Sequence, residues 1–143
     1  MIKIAHRGNV NGKTKSENQL WYLKDAISLG YDVEADIWLT GKDKLWLGHD
    51  GPMYHLNNTE FLSLIPHAWF HCKNLEVLDY LINNYPEARF FWHQNDNYAL
   101  TSNGIIWAYP GMPVTKNTIV VDFDNPPNLS LDCYGVCADY IDC

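Results

Sequence analysis

Eight short segments of this chain are rich in β-branched and aromatic residues and are bounded by Gly, Pro, Asn or Asp: 3–6, 32–39, 45–49, 68–73, 89–94, 105–109, 118–123 and 134–139. Such residues suit a pleated, half-buried surface, and the bounding residues supply the turns that end a strand. This many strands leave few arrangements: they must share one sheet or close into a barrel. Nearly half of the residues are apolar, enough for one real core.

Two segments carry helical periodicity. In 17–29, Leu20, Leu23, Ala26 and Ile27 fall on one face, Ser16 and Gln19 have capping-box spacing, and Gly30 is a stop signal. In 75–83, Leu75, Leu78 and Leu81 or Ile82 form the stripe, Asn74 can cap the start and Pro86 follows the end. A third, short turn is expected over 60–64. Strands with helices between them predict an α/β class, read as a reduced (β/α)8 TIM-like barrel with several outer helices missing. At 143 residues the chain falls short of the roughly 250 that such barrels typically need, and the connections 41–44 and 98–104 cannot hold a helix. An open, incomplete α/β sheet is the alternative. In either case residues 1–143 read as one domain. Missing helices would leave apolar strand faces bare, so a homo-oligomer is expected.

With 17 acidic and 10 basic residues the formal charge is −7, which repels a phosphate backbone and excludes general nucleic-acid binding. A small phosphate ester remains compatible, because a bound cation and a few basic groups can outweigh the global charge. No apolar run approaches the roughly 20 residues of a membrane span, and no signal peptide is visible, so a cytoplasmic protein is expected. Cys72, Cys133, Cys137 and Cys143 form no CxxC pair and read as reduced thiols.

Four short motifs carry the chemistry: His6-Arg7-Gly8 at a strand end, Glu17-Asn18-Gln19, Glu34-Ala35-Asp36 within a strand, and His49-Asp50. Side chains two apart on a strand share a face, so Glu34 and Asp36 can meet. Two carboxylates side by side repel unless a cation or proton lies between them. Hard oxygen donors favour Mg²⁺ or Ca²⁺. Each motif alone is weak; their order and spacing together are not.

That order resembles the glycerophosphodiester phosphodiesterase family, part of the phospholipase C-like barrel phosphodiesterases. The match covers residues 3–52 well, and Gly135-Val136-Cys137-Ala138-Asp139-Tyr140 is similar to the family's last strand. The resemblance implies metal-assisted hydrolysis, or intramolecular cleavage, of a glycerophosphodiester-like phosphodiester. His6 and His49 would be the acid and base, Glu34 and Asp36 would hold a divalent cation, Arg7 would contact the phosphate, and Glu17 would orient a neighbour such as Arg7. The chain departs from the pattern at Phe70-His71-Cys72-Lys73, where His71 replaces a third carboxylate ligand. His71 either ligates the metal through neutral imidazole, with more tolerance of Mn²⁺ or Zn²⁺, or is a hydrogen-bonded core histidine. Lys73 stands where the family has a lysine, and pointing inward it would favour an anion site. His93 is read as structural or as a substrate contact. Asp139 has a family counterpart but no assigned role. The main alternative is a catalytically inactive binding module for a phosphorylated metabolite; a bland interaction protein is a third. The turn from Leu39 to Leu45 looks like a hairpin, so the chain must fold back for Asp36 and His49 to meet.

Overall fold

The structure, a computed structural model, describes residues 1–142. Ten strands form one mixed sheet: β1 (Ile2–His6), β2 (Asp32–Thr40), β3 (Lys44–Leu47), β4 (Tyr54–Leu56), β5 (Ala68–Cys72), β6 (Arg89–Phe91), β7 (Tyr98–Leu100), β8 (Ile106–Ala108), β9 (Thr118–Asp122) and β10 (Gly135–Ala138). The three helices are short: α1 (Leu20–Ser28), α2 (Asn58–Leu64) and α3 (Leu75–Asn84). Strands β6, β5, β2, β1, β10, β9 and β8 lie side by side and run parallel, while β7 adds to β8 in the antiparallel sense. Strand β2 outruns its neighbour β1, and its far half pairs antiparallel with β3, which pairs antiparallel with β4.

The reduced (β/α)8 TIM-like barrel is therefore overturned. The fold is a curled half-barrel, mostly strand, with no helix among the described residues after α3. The reason lies in the connections. The turn at 41–43 is too tight for a crossover and makes a hairpin instead. The segments 109–117 and 123–134 cross between parallel strands as turns and coil. Strands β4 and β7 fall where loops were expected, because each is only three residues long and lies beside turn-forming residues, Asp50-Gly51-Pro52 before β4 and Asn95-Asp96-Asn97 before β7.

The helices differ in how they start. Asn74 caps α3 by accepting from the Val77 N–H, and its amide also bonds both backbone groups of Leu39 in β2. Asn57 and Glu60 form a capping box on α2. The box expected at Ser16 and Gln19 does not form: α1 begins only at Leu20, and Gln19 caps it without a side-chain bond. Asn18, in the left-handed region at φ +66°, turns the chain away first.

Alternation along the strands sorts the core into two layers. Val33, Ala35, Ile37, Phe70 and Cys72 face the helices, together with Leu23, Phe61 and Leu81. Ile4, Trp69, Phe91, Trp107, Ile119 and Cys137 face the inside of the curl and fill its floor. Trp69 is completely buried there, 6.2 Å from Trp107 between ring centroids, with the Arg89 guanidinium 4.4 Å over its ring. Two residues further along several of the same strands, the same inward parity reaches His6, His71 and Asp139. An apolar floor thus carries a polar layer at the strands' C-terminal ends.

Candidate functional site

Sheet register builds the polar layer. In the parallel pairing of β1 with β2, His6 stands beside Glu34, and in that of β2 with β5, Asp36 stands beside His71. Glu34 and Asp36 are two apart on β2 and are 3 % and 1 % exposed. His71 Nδ1 lies 3.2 Å from Asp36 Oδ1 and 3.8 Å from Glu34 Oε2. One donor atom from each of Glu34, Asp36 and His71 falls within 4.8 Å of the others.

His71 is held on two sides. Its Nε2 donates to the His93 carbonyl oxygen at 2.9 Å, and its ring stacks on Phe91 at 5.0 Å. Phe91 in turn stacks on Trp107 at 4.3 Å. His93 itself donates through Nε2 to the Asp96 carbonyl.

His6 is buried, and its Nδ1 lies 2.8 Å from Asp139 Oδ1. With Nδ1 carrying the proton, Nε2 is the free nitrogen, and it faces Glu34 Oε1 at 3.9 Å. Asn9 ties Asp139 to Glu17, donating to Asp139 Oδ1 at 3.0 Å and Glu17 Oε2 at 2.6 Å. The Tyr22 hydroxyl donates to Asn9 Oδ1. Asn18 clamps Asp36 at two points: Nδ2 donates to Oδ2 at 2.9 Å, and Oδ1 accepts from the Asp36 N–H at 3.0 Å. Arg7 places Nε 3.3 Å from Asp36 Oδ2 and Nη1 3.8 Å from Glu17 Oε2.

His49 arrives through the hairpin. Strand β3 returns antiparallel until Leu47 lies opposite Ile37, and the Gly48 N–H then bonds the Asp36 carbonyl at 3.1 Å. A side chain at Gly48 would put its Cβ 2.1 Å from the Gly51 carbonyl oxygen, so only glycine permits this turn. His49 is half exposed and pairs with Asp50 at 2.8 Å.

Together His6, Arg7, Glu34, His49, His71 and His93 line one cavity of about 270 Å³. Glu17 lies behind this wall, bonded to Asn9 and paired with Arg7. Lys73 does not join them: it is half-buried just past β5, and its side chain makes no hydrogen bond or ion pair among the described residues. Tyr109 and Phe123 complete the far wall, both half exposed.

The buried charges pull one another apart. Burial, and then the neighbouring Asp36 charge, push the Glu34 carboxyl up. Burial opposes ionisation of Asp36 too, but His71, Asn18 and Arg7 overcome it and hold Asp36 at about 2. Burial disfavours the charged imidazoles, yet Asp139 and Glu34 raise His6, and Asp36 and Glu34 raise His71. Asp139 is lowered despite its burial by His6 and Asn9.

Sequence reasoning gave no role to Asp139 and did not single out Asn9, and it used Asn18 only as part of a motif. The one available signal was polar residues in an apolar strand end and loop: Asp139 follows the apolar run Val136–Ala138 with the parity of Cys137. Cys143, one of the four thiols, lies outside the described residues; Cys72, Cys133 and Cys137 are free and buried. No helix among the described residues is long and apolar enough to cross a membrane. Set against known proteins, the chain matches no family model, no curated protein and no solved structure.

Proposed function

We propose that this protein is a metal-assisted phosphodiesterase that cleaves a small, glycerophosphodiester-like ester by histidine acid–base chemistry. The observation that carries this reading is that two histidines with separate supports, His6 on Asp139 and His49 on Asp50, share a cavity with Glu34 and His71. Glu34, Asp36 and His71 would hold the divalent cation. When bound, it would supply charge neutralisation at the phosphoryl oxygens.

The protein's own groups would do the rest. Asp139 keeps the proton of neutral His6 on Nδ1, so Nε2 is the nitrogen that exchanges protons with substrate. One imidazole takes a proton from the attacking hydroxyl, either water or the substrate's own. The other returns a proton to the departing alcohol. Arg7, on the cavity wall, offers a planar donor fork to the phosphate. The apolar floor beneath keeps bulk water away from the base of the site and so strengthens these charges.

A second reading, a binding module without turnover, draws on one fact. Arg7 and His71 lie 3.3 and 3.2 Å from Asp36, so the carboxylates can be balanced with no added cation. Bis(p-nitrophenyl) phosphate, offered with Mg²⁺, Ca²⁺, Mn²⁺ or Zn²⁺, with and without chelator, separates the two. Metal-dependent release of nitrophenol that His6→Ala or His49→Ala abolishes, with both variants folded by circular dichroism, supports the enzyme. Retention of inorganic phosphate or a phosphate monoester with no turnover in any metal supports the binding module.

A further inference from the structure

We propose that the cation held by Glu34, Asp36 and His71 belongs to the imidazole-preferring class, Zn²⁺ or a neighbour such as Co²⁺ or Fe²⁺, and not to Mg²⁺ or Ca²⁺, with His71 Nδ1 as its nitrogen ligand. This deepens the metal-assisted reading and rests on it.

The tautomer of His71 comes first. Its Nε2 donates to a backbone carbonyl at 2.9 Å, so neutral His71 carries its lone pair on Nδ1, aimed at the two carboxylates. A metal-bound histidine ordinarily donates its other N–H in this way. The second observation is Asp36 Oδ1. Asp36 is 1 % exposed, and although Oδ2 is held by Asn18, Oδ1 has no aligned hydrogen-bond donor. A buried carboxylate oxygen beside an imidazole lone pair is a costly arrangement unless the imidazole takes up a proton or a cation lies between them, and a divalent ion bound at Nδ1 would take that proton's place.

A rival cluster lacks this feature. His6, Glu17 and Asp139 also bring donor atoms within 4.8 Å of one another, but Asn9 bonds both carboxylates there and His6 bonds Asp139. Asp139 Oδ1 and Glu17 Oε2 are thus served, and neither carboxylate has an oxygen that is fully buried without a partner.

Donor type and spacing then select the ion. Ca²⁺ takes six to eight oxygen ligands, and Mg²⁺ demands an octahedron of oxygens and keeps much of its water. The cluster itself offers two carboxylates and one imidazole, and no further carboxylate lines the cavity beside it, where the uncharged oxygens of Gln94 and Tyr109 stand among the nitrogens of Arg7, His6, His49 and His93. Imidazole suits Zn²⁺ and its neighbours. Bonds of about 2.0–2.1 Å to a tetrahedral ion set donor atoms about 3.3 Å apart. His71 Nδ1 stands 3.2 Å from Asp36 Oδ1, close to that spacing, and 3.8 Å from Glu34 Oε2, which a small side-chain movement would bring to it. Three protein donors leave the fourth position open to substrate or water. The Phe91 ring, wedged between His71 and Trp107, fixes the imidazole plane.

The test loads metal-free protein with Zn²⁺, Co²⁺, Mg²⁺ or Ca²⁺ alone and measures affinity by calorimetry. The Zn²⁺ form is then examined by X-ray absorption. The expected shell has one imidazole and otherwise oxygen, and no sulfur. His71→Asp should lose the imidazole signature and narrow the Zn²⁺-over-Mg²⁺ preference by about 100-fold. Phe91→Leu should weaken Zn²⁺ by about 10-fold while keeping the same shell. An all-oxygen shell in the wild type, or Mg²⁺ or Ca²⁺ binding as tightly as Zn²⁺, overturns the inference and leaves the phosphodiesterase reading standing. Binding of no divalent ion overturns both. Because the absorption measurement uses wild-type protein, a misfolded variant does not remove the test.

Discussion

Replacing Asn18 by alanine should cost more than any other single change in the polar layer that leaves the charges in place. Asn18 is 1 % exposed and makes both of its side-chain hydrogen bonds with one residue, Asp36. Its loss removes a hydrogen bond to a carboxylate, worth about 1.5–3 kcal/mol, and strands the buried Asp36 N–H, at about 1–3 kcal/mol. Alanine must also adopt the φ of +66° that asparagine tolerates here, at about 1 kcal/mol. These contributions overlap, so about 3–5 kcal/mol is the expected total. Asn18→Gly loses the same two bonds without the backbone penalty and should recover about 1 kcal/mol of it. Urea unfolding followed by circular dichroism reads the difference. With a slope near 2 kcal/mol per molar, the alanine midpoint should fall by about 1.5–2.5 M. If alanine lies within about 1 kcal/mol of wild type at an unchanged slope, Asn18 does not brace Asp36. If glycine is no better than alanine, the left-handed turn is not under strain.

Three further outcomes follow from the same geometry. Asp36 is held at about 2 against an ordinary 3.8, so its ionised form contributes about 2 kcal/mol above pH 4. That contribution, joined by the lowered Asp139, should fade as acid is added from pH 4 toward pH 2, and Asp36→Asn should flatten this limb of a stability–pH curve. Asp139→Asn removes the anion that raises His6, so the His6 titration seen by proton NMR should move to lower pH; an unmoved resonance would separate the two residues. Trp69→Ala empties the floor of the curl and should cost about 3–5 kcal/mol in the same urea assay, whereas a cost under 1 kcal/mol would mean that the floor is not packed.

The clustered polar residues were legible because each sits in a short stretch with strong local signals. His6 ends an apolar strand, Glu34 and Asp36 alternate with Val33, Ala35 and Ile37, and His49 follows a glycine. The helix stripes were legible for the same reason, since periodicity needs only a local window. The start of α1 was misread because Asn18 is committed to Asp36, 18 positions away, and local capping rules do not see such a partner. The barrel was misjudged because strand count does not decide closure. Closure depends on whether each connection is long enough and apolar enough to lay a helix back on the sheet, and several here are not.

What the sequence alone determined is eight of the ten strands, most of the helix positions, and which residues share a face, since the period of a strand or helix is a property of the backbone. Tertiary structure decided which faces meet. Register between β1, β2 and β5 set His6 beside Glu34 and Asp36 beside His71, and the β2–β3 hairpin returned His49 to the same rim. It also placed Asp139, 133 positions from His6 along the chain, within one hydrogen bond of it. Contacts of that separation arise only when the whole sheet has curled, because their energy comes from burial that no local segment can achieve by itself.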